Sequence, residues 1–298
     1  MLDFYSYNDI PCFGVAGNFT GHLEQAGEAR DFANVKTKDA NAPKAIFPTY
    51  IPKKGSCLFT EDGEAKEKTP AFLQIFPFSS DSIIFPKGEK KVQIEPECAI
   101  IFKAVWQGDT LTALKPCCFG ASNDCSIRKE GAKKISEKKN WGRCTKGFAS
   151  HLISLSSSYT FTSEADDVFN RYRIASFLVR CEQFYTYGED SAVKGYSYFY
   201  QKLIDWLLEK FNGQKDEGPA ENIHSYLLAA GRLERIMVSV GATRYTSWGE
   251  QNFLQAGDKA VVVLYPEDKY SFEEIKAMLE SGTLEKEDIS ALVQTVQI

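Results

Sequence analysis

The stretch VQIEPECAIIF, residues 92–102, predicts a buried β-strand that carries two carboxylates at its leading end. Residues 99–102 are apolar, whereas Glu95 and Glu97 flank Pro96. In a strand, residues i and i+2 point to the same face about 6.5 Å apart along the chain, so the two glutamates project together. Proline donates no backbone hydrogen bond, which favours a sheet edge or the first position of a strand. Two parallel carboxylates need water, a lysine or a metal cation between them.

A third carboxylate adds to this pattern. Asp124, in CFGASNDCSIR, follows Glu97 by 27 residues and stands at the end of another apolar segment. An oxygen triad of two glutamates and one aspartate suits Mg²⁺ or Mn²⁺, which prefer carboxylates and water in octahedral geometry. A strand with two glutamates at this spacing is more often a solvated face, so the spacing leaves both interpretations open.

Composition and charge limit the class of protein. The chain has 298 residues, 43% hydrophobic and 25% charged, which is typical of one large soluble domain or two small ones. The net charge of −5 gives no signal for nucleic acid or an anionic membrane, and no apolar run is long enough to span a bilayer. The start, MLDFYSYNDIPC, lacks a basic region followed by an apolar one, so we expect a cytoplasmic protein.

The pattern of cysteines argues against a zinc site, and the pattern of clustered basic residues argues against nucleic-acid binding. The eight cysteines form no C-x-x-C pair, which favours reduced thiols over a zinc site. Residues 128–143, RKEGAKKISEKKNWGR, hold seven basic and two acidic residues. This segment contains one aromatic residue, Trp141, in an acidic protein, so a solvated helix or a loop that closes over an anionic substrate is favoured over nucleic-acid binding.

Short strands dominate the rest of the pattern and predict a mainly β, α+β fold. The strand-like segments cover residues 72–105, 151–161, 173–188, 235–242 and 259–265. Apolar residues at helical spacing predict an amphipathic helix over Tyr198–Phe211. The stretch EDGEAKEKT at 61–69 predicts a solvated loop.

The last 30 residues predict two short helices. Ser271 and Glu274 have the spacing of a capping box, and Gly282 ends the first helix. Thr283 begins the second helix without a capping box, although acidic residues follow it in the first turn. We therefore expect one domain over residues 1–266 and a helical C-terminal extension over residues 267–298.

Four segments follow one another in an order that resembles a known family. They are GVAGNFTGHLEQ (14–25), FPFSSDSIIFPKGEKKVQIEPECAIIF (76–102), FGASNDCSIR (119–128) and WGRCTKGFA (141–149), with a weaker fifth at 239–265. Together they resemble the fumarylacetoacetate hydrolase family, which includes acylpyruvases, decarboxylases, isomerases and hydratases. The resemblance spans roughly residues 12–265 and implies a mixed β-sheet roll with peripheral helices, assembled as a homodimer.

The resemblance implies a metal centre and a substrate class. Glu95, Glu97 and Asp124 are expected to hold a divalent cation, usually Mg²⁺, with Mn²⁺ or Ca²⁺ as substitutes. Lys146 is expected to face the substrate beside the metal, and Arg128 to bind or orient a substrate anion. The implied substrate is a small anionic 2-oxo acid, with neither nucleic acid nor a membrane as a partner.

The first matched segment supplies the implied catalytic base. His22 is expected to act as general base or to orient a catalytic water, with Glu24 as an acidic partner. The implied substrate-binding residues are Asn18, Phe19, Gln25 and Thr243.

The chain departs from the family pattern beside this histidine. Family hydrolases pair the histidine with a glutamate three residues on, whereas Gln25 stands at that position here. A glutamine neither takes up a proton nor carries a charge that would hold an imidazolium. Either Glu24 or Glu28 substitutes by a shift of register, or the hydrolytic step is altered. The lysine of the family's serine-rich loop is also missing from FPFSS at 76–80.

Three functions are therefore expected, in this order. The first is a metal-dependent hydrolase that cleaves a carbon–carbon bond in an acylpyruvate-like, 1,3-dicarbonyl 2-oxo acid. The second is a metal-dependent decarboxylase or an isomerase/tautomerase of 2-oxo acids, which Gln25 keeps open because decarboxylation needs no attacking water. The third is a non-catalytic binding protein that retains the fold.

Overall fold

The structure, a computed structural model, describes residues 4–53, 69–129 and 131–298. The loop predicted at 61–69 lies outside these ranges, apart from its last residue. The strands in the described residues are β1 (Cys12–Ala16), β2 (Ala45–Tyr50), β3 (Phe78–Ser79), β4 (Ser82–Ile84), β5 (Val92–Gln93), β6 (Pro96–Gln107), β7 (Thr110–Asn123), β8 (Ser126–Ile127), β9 (Lys146–Phe148), β10 (Ile153–Ser154), β11 (Tyr172–Arg180), β12 (Gln183–Ala192), β13 (Arg235–Ser239), β14 (Lys259–Pro266) and β15 (Ser290–Gln297).

Helices are fewer than strands in the described ranges. The α-helices are α1 (His22–Gln25), α2 (Tyr200–Gly213), α3 (Ile223–Ala229), α4 (Ser247–Gln251) and α5 (Phe272–Ser281). Single 3₁₀ turns occur at Phe4–Asp9, Ala29–Phe32, Ala71–Gln74, Ile135–Lys138, Val168–Arg171 and Val193–Gly195. The predicted amphipathic helix is confirmed as α2, which begins two residues later than predicted. No helix within the described ranges has the length and apolar character needed to cross a membrane.

The described strands form two large sheets and one small one. The first sheet has the order β2-β1-β13-β6-β7-β9-β3, with β10 also paired to β7. The second has the order β12-β11-β14-β15-β4, and β5 pairs with β8. Most pairs are antiparallel, but β1–β13, β3–β9 and β15–β4 are parallel. The predicted mainly β, α+β fold with mixed sheets and peripheral helices is therefore confirmed.

Strand β6 lies between two hydrophobic clusters. Cys98 and Ile100 belong to the large core that the two sheets share, whereas Ala99 and Ile101 pack in a second cluster on the opposite face. Because side chains alternate along a strand, Glu97 shares the face of Ala99 and Ile101. The carboxylates thus lie on the face of the first sheet that points away from the second sheet.

The segment after residue 266 contains one predicted helix and one unpredicted strand. Helix α5 has the predicted capping box at Ser271 and ends at Gly282, which adopts the left-handed conformation with φ 71°. The second predicted helix is wrong, because Ser290–Gln297 forms β15 between β14 and β4. Its side chains alternate in burial with a period of two, and this period outweighs the acidic residues after Thr283 that suggested a helix start. The domain limit at residue 266 stays a prediction.

Candidate metal centre

The predicted carboxylates converge at the end of a β-hairpin. Glu95 immediately precedes β6, Glu97 lies within it, and Asp124 immediately follows β7. The two strands are antiparallel neighbours with Pro96 opposite Asn123, so the start of one strand meets the end of the other. All three carboxylates are buried, and each offers an oxygen atom within 4.8 Å of the other two. We call Glu95, Glu97 and Asp124 the carboxylate floor.

Hydrogen bonds and the packing of Pro96 hold the backbone of this floor in place. The Asp124 amide donates to the Glu95 carbonyl at 3.0 Å, and the Glu95 amide donates to Asn123 Oδ1 at 3.0 Å. Pro96 Cγ lies 3.2 Å from the position that a Cβ at Gly188 would take, so the proline ring packs toward β12 of the second sheet. Pro96 is the first residue of β6 and faces away from the carboxylates, as its position in the sequence predicts.

Three basic side chains contact the floor. Lys139 Nζ lies 2.6 Å from Glu95 Oε2 and 2.8 Å from Asp124 Oδ2. Lys146 Nζ lies 3.0 Å from Asp124 Oδ1 and donates to the carbonyl oxygen of Cys125. Arg128 Nη2 lies 2.7 Å from Glu95 Oε1. Burial lowers the pKa of Lys146 below its ordinary value, although the charge of Asp124 opposes this shift.

The two glutamates of the floor have opposite electrostatic surroundings. Burial alone would raise the pKa of Glu95, but the charges of Lys139 and Arg128 outweigh it and hold that pKa well below its usual range. Glu97 forms no ion pair with any described Lys or Arg side chain and accepts one hydrogen bond, from the Gly241 amide at 3.0 Å. Burial, together with the neighbouring carboxylates, raises the pKa of Glu97 well above its usual range. Glu97 is therefore the carboxylate that lacks a cation.

Arg128 lies at the centre of a buried network, and its side chain is 8% exposed. Its Nη1 atom lies 2.8 Å from Glu28 Oε1, its Nε donates to Gln93 Oε1 at 2.7 Å, and its Nη2 donates to the Tyr245 hydroxyl at 2.8 Å. Burial would raise the pKa of Glu28, but Arg128 and Lys139 outweigh it and lower that pKa to about 2. The guanidinium predicted to meet a substrate anion is thus fully engaged with the protein's own groups.

His22 lies at the start of α1 and is 5% exposed. Its Nδ1 atom is 2.9 Å from the carbonyl oxygen of Thr243. A carbonyl only accepts, so Nδ1 carries the proton and donates, which leaves Nε2 as the basic nitrogen. Burial lowers the pKa of His22 to about 4, although the charge of Glu95 opposes this shift, so the imidazole is neutral at neutral pH.

The structure distinguishes the three candidate partners of His22. Gln25 is tied to the backbone of Tyr245, because its Nε2 donates to the carbonyl at 3.0 Å and its Oε1 accepts from the amide at 2.9 Å. Glu24 is exposed on α1, whereas Glu28 is 7% exposed and contributes to the electrostatic surroundings of His22. Of the two glutamates left open by the sequence, Glu28 is the one that the fold brings to the site.

The remaining predicted substrate-binding residues have different surroundings. Asn18 is buried, and its Nδ2 donates to the carbonyls of Tyr198 and Val240 at 3.0 and 2.8 Å, while its Oδ1 accepts from the Tyr198 amide at 2.8 Å. Phe19 packs edge-on against Tyr196, with ring centroids 5.6 Å apart. Thr243 is 1% exposed, and its hydroxyl has no hydrogen-bond partner among the described residues. Asn18 therefore connects backbone segments, whereas the Thr243 hydroxyl is an unused polar group.

The basic segment places buried lysines beside the floor, and their burial was not predicted from the sequence. Residues 131–141, here called the covering segment, include one 3₁₀ turn. Lys138 and Lys139 are each 3% exposed, and Lys138 Nζ contacts Glu28 Oε1 at 2.9 Å and Asp31 Oδ2 at 3.0 Å. Of the two alternatives favoured for this segment, the solvated helix is therefore wrong, whereas the loop that closes over an anionic substrate stays a prediction. In the sequence, the apolar Ile135 shortly before the two lysines is the feature that could have indicated a buried face.

Two cavities adjoin the centre. A small cavity of about 10 Å³ is lined by His22, Glu28, Phe47, Glu95, Glu97 and Lys139, among others. An open groove of about 790 Å³ runs past Arg30, Lys91, Arg128, Lys129 and Lys138. Glu28 lines both cavities, so it stands between the floor and the open groove.

Comparison with known proteins gives a family and a fold. The chain matches the model of a family of unknown function, DUF5718, over residues 28–296. The chain belongs to that family. No curated protein matches the sequence significantly.

Solved structures show that this DUF5718 member shares a known fold. A 2-keto-3-deoxy-D-arabinonate dehydratase aligns with a TM-score of 0.51 at 12% identity, over 99% of this chain and 81% of that chain. The same enzyme complexed with magnesium and 2,5-dioxopentanoate gives a TM-score of 0.50 at 12% identity, with the same coverage. A candidate fumarylacetoacetate isomerase/hydrolase from Oleispira antarctica gives 0.50 at 14% identity, over 96% of this chain and 93% of that chain. The fumarylacetoacetate hydrolase-like fold expected from the sequence is confirmed.

The floor of this DUF5718 member fits a hard divalent cation by its donor chemistry. Three buried carboxylates supply the oxygen ligands that Mg²⁺ and Ca²⁺ prefer. Glu97 is buried and has no cationic partner among the described residues, and a metal ion would offset its charge. Zinc is disfavoured, because the cluster contains neither a cysteine nor a histidine.

Proposed function

We propose that this protein is a divalent-metal-dependent enzyme of small 2-oxo acids, and that it cleaves a carbon–carbon bond in an acylpyruvate-like, 1,3-dicarbonyl substrate. The observation that carries the proposal is the buried convergence of Glu95, Glu97 and Asp124, with Glu97 lacking a cation. A solved structure of the same fold is described as a complex with magnesium and 2,5-dioxopentanoate, which supports the metal and the substrate class.

The residues around the floor are suited to stabilise an enolate. A divalent cation held by the floor supplies Lewis-acid polarisation of a carbonyl group. Lys146 is fully buried, and its ammonium, 3.0 Å from Asp124 Oδ1, adds positive charge beside the floor in a water-poor site. Such preorganised charge stabilises a negative charge that develops on a substrate oxygen.

His22 supplies the base for hydrolysis in this proposal. Because Nδ1 donates to the Thr243 carbonyl, the ring is held in one tautomer, with Nε2 free to take a proton from water. The activated water attacks the distal carbonyl, and the carbon–carbon bond breaks to release a carboxylic acid and a pyruvate enolate, which is then protonated. Glu28, buried nearby, favours the imidazolium that forms when His22 takes the proton.

A second candidate is a metal-dependent decarboxylase or isomerase of a 2-oxo acid. The observation that favours it is Gln25, which occupies the position of the family's dyad glutamate and is bound at both ends of its amide to the Tyr245 backbone. Glu28 is also paired with Arg128 and Lys138, so its charge is already offset. A reaction without an attacking water does not need His22 as the general base that activates water.

Turnover assays distinguish the two candidates. Purified protein with Mg²⁺ is incubated with an acylpyruvate and, separately, with oxaloacetate. The hydrolase predicts release of pyruvate and a carboxylic acid, with a loss of about 100-fold or more in kcat for His22→Ala, because general-base catalysis contributes about 10²–10⁴. His151→Ala is the matched control, since that histidine is exposed and bonds the Glu287 carbonyl.

Each outcome has a distinct meaning for the proposed reaction. Loss of oxaloacetate that survives His22→Ala supports the decarboxylase and rejects the hydrolase. If the metal-replete protein converts neither substrate, the acylpyruvate and decarboxylase assignments both fail. Chelation of the metal is expected to abolish either activity.

A further inference from the structure

The ammonium of Lys139 lies within the carboxylate floor. Its Nζ atom bridges Glu95 Oε2 at 2.6 Å and Asp124 Oδ2 at 2.8 Å, which are two of the three predicted metal ligands. The ammonium also lies 5.1 Å from the centroid of the Phe47 ring, and the side chain is 3% exposed. Oxygen atoms that a divalent cation would bind are therefore already held by a cation of the chain itself.

The cavity at the floor leaves little room for both cations. Its volume is about 10 Å³, and Lys139 forms part of its wall. A cavity of about that size holds a single water molecule. Mg²⁺ takes six oxygen ligands, of which the floor offers three carboxylates, so the remaining ligands need additional space. Metal binding therefore needs a side chain to make room. Of the three basic side chains that contact the floor, Lys139 is the one that bridges two of its carboxylates and also lines this cavity.

Charge leads to the same conclusion. The buried acidic groups around the floor are Glu28, Glu95, Glu97 and Asp124, and the basic groups that contact them are Arg128, Lys138, Lys139 and Lys146. When all are ionised, four negative charges balance four positive ones. A divalent cation alone would leave two uncompensated positive charges in a buried site, which is unfavourable. A dianionic ligand that arrives with the metal restores the balance.

The lysine side chain, more than the backbone, is the part able to move. Asn140, the next residue, donates from Nδ2 to the carbonyls of Thr49 at 2.8 Å and Ile75 at 3.1 Å, which anchors the covering segment. A lysine ammonium is carried on a flexible four-carbon stem. Rotation of that stem moves the charge away from Glu95 and Asp124 while the anchored backbone stays in place.

We propose that Lys139 is an internal competitor of the divalent cation, an inference that rests on the proposed metal-dependent function. In the metal-free protein its ammonium neutralises Glu95 and Asp124. When the metal binds, the ammonium leaves both oxygens and faces the anionic ligand. Lys139 thereby weakens the binding of metal alone and makes the binding of metal and a small dianionic 2-oxo acid cooperative, so it is a binding residue for that substrate class.

Calorimetric titration of the full chain with Mg²⁺ tests this proposal, with oxalate as the dianionic probe. Lys139→Met is expected to bind Mg²⁺ alone at least about tenfold more tightly than the wild type, because a competing buried charge is removed. The gain in Mg²⁺ affinity caused by oxalate is expected to be smaller in the variant, since that gain is the coupling between the two ligands. The Tm of the variant should also rise more with Mg²⁺.

Lys138→Met is the matched control. Lys138 is the preceding residue and equally buried, but it pairs with Glu28 and Asp31 instead of the floor. Its Mg²⁺ affinity is expected to change less than about threefold, because the lost charge does not touch a metal ligand. A similar gain in both variants would mean that net charge alone matters, and it would overturn the specific role of Lys139.

The remaining outcomes separate this inference from the proposed function. If Lys139→Met binds Mg²⁺ no more tightly than the wild type, competition is disproved, while the metal site stands. If neither protein binds Mg²⁺, with or without oxalate, the metal-dependent function fails and the inference fails with it. Should Lys139→Met not fold, Lys139→Gln, which keeps a polar contact without the charge, is measured against the same expectation.

Discussion

The carboxylate floor and the covering segment meet at one centre but arise in different ways. The floor lies on two neighbouring strands that are joined by a two-residue turn, so adjacent parts of the chain bring its three side chains together. The covering segment has only one 3₁₀ turn of its own and is held by distant parts of the chain, including Thr49, Ile75 and residues 216–221. One region is set by local pairing, and the other depends on tertiary contacts.

The two regions also differ in the sign of their charge. The floor is negative, and the covering segment brings Lys139 to it and Lys138 to the neighbouring Glu28. Without the floor, Lys139 would be a buried charge without a partner, and without the covering segment Glu95 and Asp124 would each lose one cation, which is costly. The comparison teaches that each region offsets charge in the other, and the following variants test that dependence from each side.

The largest effect on stability is expected for a variant of the floor. Glu95→Ala leaves Arg128 and Lys139 buried without their shared partner, and breaking a buried ion pair from one side costs about 3–5 kcal/mol. Urea unfolding without metal measures this loss. Glu97→Gln is the control within the same region, because Glu97 pairs with no Lys or Arg in the described part of the chain, and it is expected to keep or raise the metal-free stability. Equal losses in both variants would contradict the distinction between the two glutamates.

A pH-dependent effect is expected from the anchor of the covering segment. Glu221 is 2% exposed and accepts from the Ser136 hydroxyl at 2.9 Å, and burial raises the pKa of Glu221 to about 7. Ser136 and Lys134 lower this pKa in part, whereas Asp216 and Glu137 raise it further. Between about pH 4.5 and 7 the folded protein holds a proton that the unfolded chain has lost, so the free energy of unfolding falls as pH rises through this window.

The size of this effect follows from the shift. A change from 4.5 to about 7 corresponds to about 3 kcal/mol, at about 1.4 kcal/mol for each pKa unit. Glu221→Gln is expected to remove the fall, so that the variant is more stable than the wild type at pH 8 and similar at pH 4. Chemical denaturation across pH measures the difference. A wild-type stability that rises between pH 5 and 7 in parallel with that of the variant would show that Glu221 does not titrate there.

The smallest effect is expected for the outer anchor of the covering segment. Lys134 Nζ contacts Asp216 Oδ1 at 2.6 Å and donates to the carbonyls of Gly218 and Ala220 at 3.0 and 2.7 Å. Because this group is partly exposed, Lys134→Met is expected to cost only about 1 kcal/mol of global stability. Hydrogen exchange should accelerate in residues 131–141 and stay unchanged in β6 and β7. Equal acceleration in both regions would mean that they open together.

The sequence predicts the floor well because its information is local. A period of two places Glu95 and Glu97 on one face, and the ends of two consecutive apolar segments place Asp124 beside them. The same local pattern places Pro96 at the start of the strand, facing away. These relations involve neighbouring residues, but spacing alone left a solvated face open, and the resemblance of the surrounding segments to a known family favoured the buried triad.

The sequence fails where burial depends on remote contacts. Lys138 and Lys139 stand in a basic run that resembles a solvated surface, and only their contacts with Glu28 and Glu95 show that they are buried. The choice between Glu24 and Glu28 has the same origin, since the chain turns after α1 at Gly27, with φ 71°, and returns Glu28 to the site. Gln25 occupies the expected position, but its attachment to Tyr245 depends on a segment 220 residues away.

Strand β15 has a consequence for how the chain matures on the ribosome. It lies between β14 and β4, and Gln294 within it donates to the carbonyls of Ser82 and Lys146, both at 3.1 Å, while it accepts from Asn123. Ser82, Asn123 and Lys146 are therefore held together by Gln294, which is synthesised more than 140 residues after the last of them. Such long-range pairing is slow, and it leaves strand edges exposed to aggregation until it is complete. A nascent chain halted before residue 290 would carry all three carboxylates and still lack Gln294, which contacts the Asn123 side chain that holds the Glu95 backbone.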